Sequence, residues 1–179
     1  MKNATHRILA AGLAAAALLA TTATSRAAAP EAGGSGAAVE NLLKAAKLVY
    51  TKVGDAGFKL PYDDKDGNTT NIFIEARTTQ GDSPKAFAFV WSIVLHLDGD
   101  KVPAPVLAKM AELNNRMNFG NISAEKDKDG GHTVYVNMSF FLKNAEPDQL
   151  DDYVEMNLGT RQFVRKELQH VIEEGSGEK

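Results

Sequence analysis

One stretch, Ala86–Asp98 (AFAFVWSIVLHLD), constrains the fold more than any other part of the chain. Successive side chains of a β-strand point to opposite faces, so its bulky residues share one face and its smaller residues the other. In a helix the same residues would be apolar nearly all round, and their aromatic and β-branched content favours a strand. The pattern predicts a long central strand with a buried bulky face and a partly covered smaller face that includes His96. The bulky side chains are Phe87, Phe89, Trp91, Ile93, Leu95 and Leu97.

The N-terminal segment, residues 1–27, has the layout of a secretory signal peptide. A basic start precedes the apolar run Ile8–Ala20, which is shorter than the roughly 20 residues that a membrane-spanning helix needs. Small residues follow this run and predict cleavage after Ala23 or Ala27. An uncleaved membrane anchor is the alternative. Cleavage leaves no stable membrane span and predicts a periplasmic or secreted protein.

Composition narrows both the domain organisation and the range of partners. The chain has no cysteine, which excludes disulfides, thiol chemistry and a lipid anchor on cysteine. Removing the three basic residues of the signal segment takes the formal net charge from −3 to −6. An acidic domain without a basic stripe argues against binding to nucleic acid or to anionic lipid. We expect a flexible linker over residues 28–36, a single domain over 37–174 and a disordered tail over 175–179.

Hydrophobic periodicity predicts an α+β domain with the element order α-β-β-β-α-β-β-α. Gly54 and Gly57 are predicted to end the first helix, because glycine is the usual residue just past a helix end. Asp-Gly pairs before two of the strands predict antiparallel hairpins. The predicted helices cover residues 37–53, 103–117 and those from Pro147 onward, and they flank an antiparallel sheet of about five strands over 58–62, 70–77, 86–98, 119–125 and 132–142.

A helix that ends in an asparagine-rich turn (LNNRMNFGNIS, Leu113–Ser123) follows the long central strand. This turn and the order of the elements, from about Val39 to Ile172, resemble the YbjN-like family of bacterial domains, which are proposed to be sensory transduction regulators. The fold of that family is similar to the fold of the class I chaperones of type III secretion. The resemblance implies a small, often dimeric, non-enzymatic domain that binds protein segments through its sheet or helices. It supplies no catalytic residue.

The residues of the domain predict no catalytic, cofactor-binding or metal-binding site. Its histidines lack metal-ligand spacing and are interpreted as structural or surface residues. The segment that begins at Asp64 matches part of a calcium loop, yet Thr69 stands where such a loop needs a glycine for its sharp turn. A hairpin turn is therefore the preferred interpretation of this segment. The histidines are His96, His132 and His170.

Two groups of residues are candidates for an interaction. Asn114, Asn115 and Asn118 lie close together around the end of the second predicted helix. A polar patch that recognises a peptide backbone is one interpretation, and helix termination is the preferred one, because asparagine tolerates left-handed conformations and bonds its own backbone. Tyr135 and Phe141 share one face of the last predicted strand. If no helix covers that face, they form an exposed apolar patch of the kind that marks an interface.

These features predict an exported, non-enzymatic domain that binds protein or peptide in a chaperone-like or regulatory role, as a homodimer. The competing hypothesis is a small-molecule-binding or enzymatic domain with a pocket between the sheet and the helices. His96 is the most plausible polar group for such a pocket. A purely structural protein of the cell envelope is a third hypothesis.

Overall fold

A computed structural model describes residues 32–63 and 69–176. Within these ranges the chain forms three helices and a six-stranded antiparallel sheet with the strand order β1-β2-β3-β4-β6-β5, which confirms the α+β prediction. The predicted signal peptide lies outside the described residues. No helix in the described ranges is both long and apolar enough to cross a membrane. The elements are α1 (Ala32–Ala45), β1 (Thr51–Val53), β2 (Gly57–Asp63), β3 (Thr69–Thr78), β4 (Ala86–Leu97), α2 (Ala104–Arg116), β5 (Asn121–Lys126), β6 (His132–Phe141) and α3 (Pro147–Ser176).

The first helix ends earlier than predicted, at Ala45, so the prediction of a helix over 37–53 is wrong for its last residues. Lys47 is left-handed (φ 58°), and the backbone N–H groups of Lys47 and Leu48 donate to carbonyl groups of the last helical turn. This pair of hydrogen bonds is the Schellman ending of a helix, here with lysine in the place where glycine is usual. The chain then forms β1, and Gly54 (φ 68°) lies in the turn to β2 instead of ending the helix.

The first helix also begins inside the segment that was predicted to be a flexible linker. That prediction is wrong for residues 32–36, because they are helical. Gly36 packs against the turn between β1 and β2. A Cβ atom on it would lie 2.7 Å from the Asp55 carbonyl oxygen and 3.3 Å from the Ala56 Cα. A residue without a side chain lets the helix come this close to the turn, so the glycine-rich composition serves packing here. At the other end, α3 continues to Ser176, which is past the predicted start of the tail.

The central strand β4 buries the face that was predicted to be only partly covered. Ala88, Ser92 and Val94 are at most 2% exposed beneath the helices. The bulky residues from Phe87 to Ile93 face the other way and are half-buried. The prediction of a buried bulky face is therefore wrong over this part of the strand. Interiors are close-packed, and small side chains on β4 let the helix layer approach the sheet.

Buried polar contacts fix the last helix on this face. Asn157 Oδ1 accepts a hydrogen bond from Ser92 Oγ at 2.6 Å, and Asn157 Nδ2 donates to the Val136 carbonyl at 3.3 Å. One turn later, Arg161 Nε donates to the Ile93 carbonyl at 2.6 Å. Asn157 has no exposed surface and Arg161 is 8% exposed. The position of α3 along the sheet is therefore set by directional bonds as well as by apolar burial.

A β-bulge near the end of β4 changes which side chains face the helices. Val94 is an extra residue between two neighbouring pairs of the ladder with β6. Such an insertion exchanges the faces of the residues that follow. His96 consequently lies on the side away from the helices, and Leu97 is buried on the helix side. The prediction that His96 shares a face with the smaller residues of β4 is therefore wrong, and Leu97 is buried as predicted but not on the face of Phe87.

Candidate interaction surface

Aromatic side chains from β3, β4 and β6 line the side of the sheet away from the helices. The strand register pairs Phe73 with Trp91 and Phe87 with Phe141, and directly opposite residues of neighbouring strands share a face. In the described part of the chain, the helices pack on the opposite side. We name this surface the aromatic face and define it as Phe73, Phe87, Phe89, Trp91, Tyr135 and Phe141.

The rings of the aromatic face cover one another, which explains why most of them are half-buried. Phe73 and Trp91 stack with their ring centroids 4.1 Å apart and their planes 13° apart. Tyr135 meets Trp91 edge-on, with centroids at 5.6 Å and an angle of 74°. Both geometries are favourable for aromatic pairs. Phe141 lies at the end of the array and is 55% exposed, so the face is an ordered apolar surface that reaches solvent.

A half-buried ion pair borders these rings. Arg77 donates from Nε and Nη2 to Glu75 Oε2 at 3.0 and 2.7 Å. The Trp91 Nε1–H donates to the other carboxylate oxygen, Glu75 Oε1, at 3.3 Å. The Arg77 guanidinium also lies 3.9 Å from the centre of the Phe89 ring, which is a cation–π contact. Glu75 therefore orients both an arginine and an indole, and it neutralises the arginine within the chain.

Tyr135 and Phe141, the predicted apolar interaction residues, both belong to the aromatic face. They were predicted to form an exposed patch if no helix covers their face, and none of the described helices covers it. Burial raises the pKa of the Tyr135 hydroxyl, and the carboxylates of Glu125 and Asp127 raise it further, although a hydrogen bond with Thr133 acts in the opposite direction. The hydroxyl is therefore neutral at ordinary pH, as suits an apolar surface. A binding role for the two residues stays a prediction.

The predicted asparagines have different surroundings. Asn114 makes two hydrogen bonds with the backbone of Ile122, because its Nδ2 donates to the carbonyl at 2.9 Å and its Oδ1 accepts from the N–H at 2.7 Å. Its amide takes the place of a neighbouring strand and joins α2 to β5. Asn115 is exposed, and Asn118 lines a cavity of about 280 Å³ together with Phe89 of the aromatic face. Recognition of a peptide by these residues stays a prediction.

His96 has close protein partners. Its Nδ1 lies 2.8 Å from Thr133 Oγ1, which donates its proton to Asp127 at 2.8 Å. Across the described ranges no three His, Cys, Asp or Glu side chains come together in a way that could hold a metal ion. The centre of the calcium-loop segment, residues 64–68, lies outside the described residues.

The sheet order and the one-sided helix layer can be compared with solved structures. The crystal structure of YbjN, a proposed transcription regulator from E. coli, matches with a TM-score of 0.51 and 13% sequence identity, over 74% of this chain and 89% of that chain. The chain shares its fold with YbjN. No protein-family model and no curated protein matches the sequence. At this identity the likeness to YbjN concerns the fold.

The likeness to YbjN confirms the family resemblance that the element order and Leu113–Ser123 predicted, at the level of architecture. It places the aromatic face on a fold that the crystal structure of YbjN also has. The further similarity to class I chaperones of type III secretion stays a prediction.

Glu125, on the edge strand beside the aromatic face of this YbjN-like fold, gives a pH-dependent prediction. Burial raises the pKa of its carboxyl, and Arg77 acts in the opposite direction. Because the native pKa lies above the unfolded one, this carboxyl lowers the stability of the native state as the pH rises through the native pKa. We expect Glu125→Gln to raise the free energy of unfolding at pH 7. The gain should disappear below the ordinary pKa of glutamate.

Urea titrations of both proteins over a series of pH values measure this difference. Glu173→Gln, at an exposed position near the end of α3, makes the same chemical change and should alter the free energy of unfolding by no more than about 0.5 kcal/mol. A Glu125→Gln protein that is less stable than the wild type at pH 7 would show that the ionised carboxylate stabilises the fold through Arg77.

Proposed function

We propose that the chain is an exported, non-enzymatic protein-binding domain with a chaperone-like or regulatory role, and that it forms a homodimer through the aromatic face. The observation that carries the proposal is the ordered aromatic surface on the side of the sheet that the described helices leave open. The shared fold with YbjN, itself a proposed regulator, is consistent with this role.

The composition of the aromatic face supports an interface. Aromatic residues and arginine are enriched in interfaces and supply most of the binding free energy of the complexes in which they occur. The stacking of Phe73 on Trp91 and the bonds from Glu75 hold these side chains in place before binding. Less conformational entropy is therefore lost when a partner covers them.

A second copy of the chain is the partner that fits this surface. A two-fold interface brings the same surface of two molecules together, so a strong excess of one charge would repel. On the aromatic face Glu75 pairs with Arg77, and Lys59 and Glu125 add one charge of each sign at its borders. The whole chain carries a net charge of −3, so a surface with balanced charges is where two copies repel each other least.

Light scattering at several protein concentrations tests the dimer. We expect a dimeric wild type and a monomeric Phe141→Glu protein, because the substitution replaces an apolar ring of the interface with a carboxylate, whose removal from water is costly. Phe163→Glu is the matched control, since Phe163 lies on α3 and is 48% exposed, against 55% for Phe141. This control should remain dimeric. A monomeric wild type, or a dimer that only Phe163→Glu dissociates, would contradict the proposal.

Export is tested separately by the intact mass of the protein recovered from each cell fraction after expression in a bacterial host. Processing after Ala23 or Ala27 gives one of two defined masses in the periplasm or the medium. An unprocessed chain in the cytoplasmic fraction would rule out the exported form of the proposal and leave the dimer experiment unaffected.

A further inference from the structure

The central strands β3 and β4 pair along most of their length and then separate. Their ladder ends at the pair Ile72–Ser92. Beyond this pair, residues 69–71 remain with β2 and residues 93–97 remain with β6. The opening between the two strands, which we call the wedge, holds a cavity of about 490 Å³. This volume is typical of a small-molecule site.

Two arginines of α3 line the wedge. Arg161 and Arg165 are four residues apart, so they lie on the same face of the helix. Arg161 is 8% exposed, and its bond to the Ile93 carbonyl fixes the guanidinium at the bulge of β4. Arg165 is half-buried, and no hydrogen bond or ion pair with it occurs in the described residues. Arg165 is therefore a charged group in the wedge that is available to a ligand.

The wedge concentrates positive charge without a carboxylate. None of the described residues that line it is Asp or Glu, although the chain has 23 acidic residues against 20 of lysine and arginine. The nearby Asp63 accepts a hydrogen bond from the Thr69 hydroxyl and is not part of the lining. Arg165 is half-buried and pairs with no carboxylate among the described residues, and moving such a charge out of water costs free energy. Arginine also matches carboxylates and phosphates with two parallel hydrogen bonds, so an oxyanion suits this position.

The rest of the wedge lining is mixed, with the polar side chains of Thr69, Thr70, Asn71, His96 and Gln169 beside the apolar side chains of Phe73, Ile93, Val94 and Leu95. Phe73 also stacks directly on Trp91. A ligand that matches the arginines and the apolar part of this lining has an oxyanion at one end and an apolar body at the other. Because of the stacking, a molecule in the wedge changes the surroundings of Trp91.

We propose that the wedge binds a small organic oxyanion, either a carboxylate or a phosphate ester, with an apolar body. Arg165 binds the oxyanion, and Arg161 fixes the neighbouring backbone of β4 through its hydrogen bond to the Ile93 carbonyl. The apolar body lies against Phe73. The wedge shares Phe73 with the aromatic face, whereas Arg165 lies on α3. The effect of the Arg165 substitutions therefore tests this site separately from the dimer.

Fluorescence of Trp91, the single tryptophan of the chain, tests the proposal on the full-length protein. The probes are cyclohexanecarboxylate and cyclohexyl phosphate at constant ionic strength, with the uncharged cyclohexanecarboxamide as the matched control ligand. We expect a saturable change with at least one charged probe and none with the amide. The probe that binds more tightly identifies the head group as a carboxylate or a phosphate.

Substitutions on α3 locate the response. Arg165→Gln should weaken binding about tenfold or more, because a charge-assisted pair is lost. Lys166→Gln, an exposed neighbour with the same change of charge, should bind as the wild type does. Arg165→Lys keeps the charge but loses the two parallel bonds, and it replaces Arg165→Gln if that protein does not fold. The proposal is overturned by no saturable response, by an equal response to the amide, or by wild-type affinity in the folded Arg165 variant.

Discussion

Asn157→Ala should lower the free energy of unfolding by about 2 to 4 kcal/mol, because the residue is fully buried and its side chain is hydrogen-bonded. The substitution leaves the Ser92 hydroxyl and the Val136 carbonyl without their partner, and it opens a cavity between α3 and the sheet. Every buried side-chain polar atom among the described residues has a hydrogen-bond partner, so no spare group is at hand to replace the lost amide. Denaturant titration followed by circular dichroism measures the loss.

Two further variants separate this buried role from the substitution itself. Asn115→Ala makes the same change at an exposed position of α2 and should cost no more than about 0.5 kcal/mol. Combining Asn157→Ala with Ser92→Ala removes one of the groups left unpaired, so the double variant should lose less stability than the sum of the two single variants. Additive losses, or a loss below about 1 kcal/mol for Asn157→Ala alone, would contradict the structural role assigned to this bond.

Gly120→Ala is expected to be similarly severe, with a loss of about 2 to 4 kcal/mol. Gly120 has φ 80°, a conformation that residues with a side chain rarely adopt. A Cβ atom there would also collide with the carbonyl oxygen of Asn137 and with Met138 Cγ. The residue leads from α2 into β5, so relief of the collision would displace the start of the edge strand. Thermal and urea unfolding both report the change.

Gly99→Ala is the matched control for this prediction. Gly99 also has a positive φ, 99°, but a Cβ atom on it would meet nothing within 4 Å. Its substitution should therefore cost only the unfavourable backbone conformation, about 1 to 2 kcal/mol. The difference between the two variants isolates the collision at Gly120. Equal losses for both would show that the backbone around Asn137 yields freely.

Five of the six described strands could be predicted because their signals are local, whereas β1 (Thr51–Val53) lies within the predicted first helix. The alternation of side chains over Ala86–Leu97 and His132–Phe141 predicts two strands, and their lengths agree closely with those of β4 and β6 in the structure. An Asp-Gly turn before β6 specifies its hairpin with β5. Neither signal needs information from a distant part of the chain.

The buried side of β4 could not be predicted from alternation. The pattern divides the residues into two faces, but the choice between the faces depends on what packs against them. Ser92 is buried because Asn157, which is 65 residues away, bonds to it. The early end of α1 could not be predicted either. The residue in the left-handed conformation after the helix is Lys47, whereas the usual sequence signal for such an ending is a glycine.

The candidate surfaces were predicted only in part. Alternation along one strand was enough to predict that Tyr135 and Phe141 share a face. The contact of Phe73 with Trp91 could not be predicted in this way, because it depends on the register between two strands. Arg165 carried no signal in the sequence, because an arginine on an amphipathic helix is most often a solvated residue. Its significance depends on the separation of β3 from β4, which no local pattern specifies.

The bonds from α3 to the sheet also bear on the order in which the protein can be completed during synthesis. Asn157 and Arg161 reach back 65 and 68 residues to β4, and α3 is made after every other element that the structure describes. Until those thirty helical residues emerge, the sheet has apolar side chains on both sides and lacks the partners for its buried polar groups. A nascent chain of this protein therefore passes through a stage in which its exposed apolar side chains are open to capture by a chaperone or to aggregation.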